Sequence, residues 1–202
     1  MKIIREILSW IIPIVIGIIV ALLIHRYLFM FAKTDGPSME PNLQDGERVV
    51  VLRQSKIKHL SVIVFDAHGL DPDAKPKSDY VKRVIGLPGD TVTFNRSEGN
   101  IYVNNQKVNQ NFISNSERMN GSDYFDIDKN WDLKSLSRNW TRNTNSVRVP
   151  KGEYFVLGDH RSVSNDGRYW GYVPKSHIKG VVKAFPWSTT KETRNNINNL
   201  SY

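Results

Sequence analysis

Three short stretches of this chain hold side chains that can do hydrolytic chemistry. The first, Gly36-Pro37-Ser38-Met39-Glu40-Pro41, sets one serine between two prolines. Proline fixes its own φ and pushes the residue before it out of helix, so Ser38 is presented on a stiff turn. A serine hydroxyl is a weak nucleophile until a base takes its proton. Taken alone, Ser38 reads equally well as a turn residue. The second stretch, Tyr80-Val81-Lys82-Arg83-Val84-Ile85-Gly86-Leu87-Pro88-Gly89-Asp90, supplies a base. Lys82 stands in an apolar run of strand character. Alternation puts Tyr80, Lys82 and Val84 on one face and Val81, Arg83 and Ile85 on the other. Apolar surroundings disfavour an ammonium, lower the lysine pKa and leave a neutral amine competent as a general base. A lone strand lysine also reads as a snorkelling surface residue. The histidines offer no rival base: His25 falls in an apolar segment, and His59, His68 and His177 show no triad pattern.

The third stretch is Gly158-Asp159-His160-Arg161-Ser162-Val163-Ser164-Asn165-Asp166-Gly167-Arg168. It packs hydroxyl, carboxylate and guanidinium groups into one loop. Read by residue type alone, Asp166 and Arg168 are at most a surface pair that contributes ~0–1 kcal/mol.

These stretches need elements to hold them. A short basic start, residues 1–6 with Lys2 and Arg5, precedes an uncharged run over 7–24, and apolar character resumes over 27–31. About 20 residues of helix cross the ~30 Å hydrocarbon core, so 7–31 reads as a transmembrane anchor, with Trp10 at one interface and His25, Arg26 and Tyr27 at the other. A cleavable secretory signal needs a small-x-small site after a shorter apolar core, and 26–32 offers none. Lys2 and Arg5 on one side, Arg26 and Lys33 on the other, leave orientation open by charge count. Beyond the anchor, β-branched and aromatic runs bounded by turn residues predict strands at 47–52, 60–65, 80–85, 91–94, 101–103, 152–158 and 178–185. Asn104-Asn105 predicts a hairpin turn. Residues 109–146, rich in Asn and Ser with Phe112, Tyr124, Phe125, Trp131 and Trp140, read as a loop-rich insertion with its own small apolar cluster. The tail from 191 to 202 reads as frayed. The expected fold is mainly β: a largely antiparallel catalytic domain over 32–190 behind an N-terminal transmembrane helix.

Composition narrows the function. The 202 residues suit one domain, and the net charge of +8 favours acidic partners such as lipid headgroups or cell-wall polyanions, though ordinary surface lysines account for much of it. No basic block with interleaved aromatics marks a nucleic-acid surface. With no cysteine there is no disulfide and no cysteine-based metal site or nucleophile. Zinc spacings, a P-loop, a dinucleotide fingerprint and internal repeats are absent from the sequence, and no cofactor or metal is expected.

Taken in order behind the anchor, Gly36 to Pro41, Gly46-Glu47-Arg48-Val49-Val50-Val51, Tyr80 to Asp90 and Gly158 to Arg168 resemble bacterial type I signal peptidase. The resemblance runs from the anchor to about residue 186, with 109–146 in the family's variable part. It implies a membrane-bound serine endopeptidase with a Ser–Lys dyad, Ser38 as nucleophile and Lys82 as general base. Ser164 takes the position whose hydroxyl orients the lysine, and Asp166 and Arg168 that of a supporting ion pair. The resemblance also implies a cytoplasmic N-terminus and an extracytoplasmic catalytic domain at the cell membrane. The implied substrates are exported pre-proteins cut after small-x-small sequences such as Ala-x-Ala. The chain departs from the family pattern at Gly36, where some members carry a serine that helps bind the oxyanion, and at Asn42, His160 and Gly167. Two other readings stand beside this one: a catalytically inactive membrane-tethered binding module, and a LexA-like self-cleaving regulator, which would bring a DNA-binding helical domain where this chain has the anchor.

Overall fold

The structure, a computed structural model, describes residues 2–119, 129–185, 187 and 190–201, without the side chains of 2–8 and 25. Eleven strands and five helices are found among them. The strands are β1 (Phe29–Lys33), β2 (Arg48–Leu52), β3 (Val62–Asp66), β4 (Asp79–Gly86), β5 (Val92–Asn95), β6 (Asn100–Val103), β7 (Gln106–Lys107), β8 (Trp131–Asp132), β9 (Glu153–Leu157), β10 (Val173–Pro174) and β11 (Ile178–Ala184). The helices are α1 (Lys2–Tyr27), α2 (Asn115–Met119), α3 (Leu133–Leu136), α4 (Gly167–Trp170) and α5 (Lys191–Asn198).

Two antiparallel sheets make the body. The larger has the order β1-β2-β11-β3-β4-β9-β10 and the smaller β7-β6-β5-β8. The strands form where β-branched runs pack on the pleat from both sides: β3, with Val62, Ile63, Val64 and Phe65 fully buried, lies between β11 and β4. The predicted hairpin is present. Asn104 and Asn105 both take positive φ, 50° and 65°, which a two-residue turn with the twist of its strands requires.

Three apolar clusters fill the interior. Met39, Leu43, Val49, Val51, Val62 and Val64 form one; Ile63, Phe65, Val84, Val156 and Trp170 form another. The third gathers Ile85, Phe94, Phe155 and Tyr172 with Phe112, Trp131 and Trp140. The aromatics of 109–146 therefore belong to a core shared with β4, β5 and β9 rather than to a cluster of their own, because β8 pairs with β5 and carries Trp131 onto Phe94. Tyr124 and Phe125 lie outside the described residues.

Two segments differ from expectation. The anchor was expected to reach residue 31, but helix ends at Tyr27, and residues 29–33 form the edge strand β1 paired with β2. Phe-Met-Phe-Ala-Lys is rich in aromatic residues that suit a strand, and at a sheet edge its backbone groups find partners that a helix end lacks. The tail is not frayed over 191–198: Thr190 caps α5, accepting from the Thr193 N–H, and Ile197 is buried. Helix α1 itself runs 26 residues, and every described side chain from Ser9 to Ile24 is exposed. Among the described residues no helix is long and apolar enough to cross a membrane; the side chains of 2–8 and 25 fall outside that description.

Candidate active site

The turn that carries Ser38 is closed by its own backbone. Glu40 N–H donates to Pro37 O at 3.0 Å, and Leu43 N–H to Met39 O at 3.0 Å. Buried Met39 and Leu43 pin the turn to the core. Gly36 takes φ +83°, a conformation that disfavours any other L residue, so the missing serine hydroxyl at this position follows from the backbone even though a Cβ would meet nothing. The Ser38 carbonyl accepts the His160 N–H at 3.1 Å, which binds the turn to the 158–168 loop.

Lys82 comes from the middle of β4, opposite Ile63 of β3. Its side chain is 4% exposed, and its Nζ lies 2.7 Å from the Ser38 Oγ. Burial pushes its pKa down to about 8; the Asp166 charge opposes this and the Arg168 charge adds to it. A small pocket of about 220 Å³ opens on the pair, walled by Gly36, Pro37, Met39, Tyr80, Val81, Val163 and Asn165 among others.

The loop after β9 supports the pair. Asp166 is fully buried and caps α4. Arg168 reaches it with Nε at 2.8 Å and Nη2 at 2.9 Å, a two-armed pair of the strong kind. Burial alone would raise the Asp166 carboxyl. The Arg168 charge and hydrogen bonds, the Gly158 N–H at 2.9 Å and the Lys82 charge hold it below the usual carboxylate range. Arg168 also donates to the carbonyls of Arg161 and Ser164, so it is the brace of the loop rather than a surface partner. Ser164 is buried, but its hydroxyl meets no hydrogen-bond partner among the described residues. The bond expected to orient Lys82 is thus not made in this structure. Gly158 lies between the two serines, where a Cβ would come within 2.5 Å of both Ser164 Cβ and Ser38 O.

Of the five residues expected at the site, Ser38 and Lys82 are in direct contact, Asp166 and Arg168 are paired behind them, and Ser164 is in the same loop. Sequence reasoning missed the partners of Arg83. Its guanidinium is wholly buried, paired with Asp159 and 4.1 Å above the Phe112 ring. The signal was present: an arginine on the inner face of an apolar strand demands a carboxylate, and Asp159 stood unassigned in the third stretch. Asn42 completes that network, donating to Asp159 Oδ2 at 2.9 Å and accepting from Asn196 of α5. Among the described residues no group of His, Asp and Glu side chains could hold a metal ion.

The family described as "Signal peptidase, peptidase S26" matches residues 7–187. The chain is 34% identical over 197 residues to signal peptidase IB of Staphylococcus aureus (strain COL), covering 95% of this chain and 96% of the relative. It is 31% identical over 196 residues to signal peptidase I of Bacillus licheniformis, covering 94% of each. A crystal structure of a signal peptidase I from Enterococcus faecalis V583 aligns with a TM-score of 0.49 at 31% identity, covering 63% of this chain and 97% of that one.

Proposed function

We propose that this chain, which belongs to the signal peptidase family, peptidase S26, cuts exported pre-proteins with Ser38 as nucleophile and Lys82 as general base. The protein is a peptidase that removes signal peptides. The observation that carries the mechanism is the 2.7 Å contact between Lys82 Nζ and Ser38 Oγ inside an apolar, buried setting. Deprotonated Lys82 takes the Ser38 proton as Oγ attacks the carbonyl carbon of the scissile bond. The resulting ammonium returns that proton to the leaving amine. The acyl-enzyme is then hydrolysed by water, activated by the same amine. Gly36 brings no hydroxyl, so the developing oxyanion is met by backbone N–H groups, that of Ser38 first. Asp166 and Arg168 position the loop around the amine, and Ser164 is a buried hydroxyl of the same loop.

Residues before the cut are small, as in Ala-x-Ala, and enter the pocket beside Ser38. Helix α1 anchors the enzyme. Its 26 residues span about 39 Å at 1.5 Å each, and its exposed Ile, Val and Leu side chains find lipid where the protein offers them no cover. The N-terminus is cytoplasmic and the β domain extracytoplasmic, so Ser38 meets the end of a signal peptide held in the same membrane.

The test is cleavage of a purified pre-protein carrying an Ala-x-Ala site by the detergent-solubilised full chain, with the new N-terminus sequenced. A cut after Ala-x-Ala is expected from the parent enzyme. Ser38→Ala should abolish it, and Lys82→Ala should slow it by on the order of 10²–10⁴-fold. Substantial turnover by either variant removes the dyad. Anchoring is checked by alkaline carbonate extraction of membranes: release of the full chain into the supernatant removes the spanning role of α1.

A further inference from the structure

Behind the Ser38 pocket lies a carboxylate that the Ser–Lys chemistry does not use. Asp71 sits in the loop between β3 and β4 and is 3% exposed. Its two oxygens do different things. Oδ1 accepts the Asp73 N–H at 3.0 Å, which closes the loop locally. Oδ2 accepts the Tyr80 hydroxyl at 2.7 Å and the Asn165 amide, also at 2.7 Å. Tyr80 belongs to β4 and stands two residues before Lys82 on the same face. Asn165 belongs to the 158–168 loop, between Ser164 and Asp166. Both line the pocket that holds Ser38 and Lys82. One buried oxygen therefore joins two walls that arrive from distant parts of the chain.

A carboxylate needed only for the loop would stop at Oδ1, since backbone bonds from Asp71 N–H to Ala67 O and from Ala74 N–H to Asp71 O already shape the turn. Oδ2 instead points across to the site. The Tyr80 ring is also fixed from its other side, edge-on to Phe65 at 6.1 Å. Hydrogen bonds to an ionised acceptor are about twice as strong as neutral ones, and a buried carboxylate stripped of donors is costly, so the two walls are held at one separation.

We propose that Asp71 is a positioning residue that sets the width of the substrate pocket by tying Tyr80 to Asn165, and so decides how large a side chain beside the scissile bond is accepted. This rests on the peptidase reading above. Asp71 acts on the base as well. The charged groups that bear on Lys82 are Asp166, Arg168, Asp159 and Asp71, with the Tyr80 ring 5.4 Å from Nζ. The Asp71 charge favours the ammonium, so its removal moves the acid limb of the rate profile to lower pH.

The experiment uses the full chain in detergent and two pre-proteins that differ only in Ala or Val immediately before the cut. Asp71→Ala opens the clasp: the ratio of kcat/KM for Val over Ala should rise by ~10-fold or more, the discrimination that one or two methylenes carry in a fitted pocket. Tyr80→Phe keeps the ring, loses the hydroxyl and should move the ratio the same way by less. Asp71→Asn can turn its one amide oxygen to Tyr80 and Asn165, giving up only the Asp73 N–H, so the ratio should stay nearer that of the parent than in Asp71→Ala while the acid limb moves to lower pH. Should Asp71→Ala not fold, the other two variants decide. An equal loss on both substrates with an unmoved acid limb makes Asp71 a structural prop and overturns the proposal. Failure of the peptidase reading looks different: the parent enzyme leaves both pre-proteins intact, and the inference falls with it.

Discussion

Asp159 receives both arms of the Arg83 guanidinium, Nε at 2.7 Å and Nη2 at 2.6 Å, and neither side chain is exposed. Arg83 follows Lys82 in β4, and Asp159 precedes His160, whose N–H holds the Ser38 carbonyl. The pair thus joins the strand of Lys82 to the loop that holds the Ser38 turn. The two Nη1 hydrogens go to Leu60 O and to Asn196 O of α5, so the C-terminal helix closes over the same network.

Breaking this pair from one side strands a buried charge. Asp159→Ala should destabilise the protein by about 3–5 kcal/mol, whereas the double variant Arg83→Met with Asp159→Leu should lose much less, because no charge is left unpaired. Chemical denaturation of both in detergent checks this. Equal losses in the two would show that the network holds the fold by shape rather than by charge.

The buried base makes activity and stability respond to pH in a defined direction. Cleavage should rise as Lys82 loses its proton, with an acid limb near its pKa of about 8 rather than its ordinary 10.5. Below about 8 the folded protein carries a buried ammonium that the unfolded chain carries freely in water. The cost is fully present there, shrinks as pH rises from about 8 to 10.5, and is gone above, because the unfolded state binds more protons across that window. Lys82→Met should therefore be more stable than its parent at neutral pH by up to about 3 kcal/mol, with the gap closing toward the alkaline end. Parallel unfolding curves with no pH-dependent gap would show a lysine that is not desolvated.

Gly158 is the tightest point between the loop and the nucleophile. An alanine there would drive a methyl group into Ser38 O and Ser164. Gly158→Ala should shift the Ser38 turn, and a displacement of about 1 Å at reacting atoms costs on the order of 10²-fold in rate. We expect kcat to fall while the variant still folds, measured as turnover at saturating pre-protein beside a thermal unfolding curve. Full activity in a folded Gly158→Ala would mean that the loop yields without moving Ser38.

Much of this protein is local and was legible in sequence. The strands at 48–52 and 80–85, the Asn104-Asn105 hairpin and the long helix of aliphatic residues are set by residue types a few positions apart, through alternation, turn conformation and hydropathy. Ser38 and Lys82 stood out through the resemblance of their stretches to type I signal peptidase; taken alone, a turn serine and a strand lysine left their roles open. What lay beyond reach joins residues far apart in the chain. Nothing in the sequence singled out Asp71, which folding set between Tyr80 and Asn165, and Arg83 had no named partner until β4 met the 158–168 loop. The tail looked frayed because its Asn-rich sequence has little helical preference; packing of Ile197 and capping by Thr190 overrode that. Backbone preference acts between neighbours and is written in order along the chain. The cost of burying a charge or a methyl group is settled only where the folded chain brings distant neighbours to meet it, so the sequence determined the strands and marked Ser38 and Lys82 as candidates, and tertiary structure decided what surrounds and holds them.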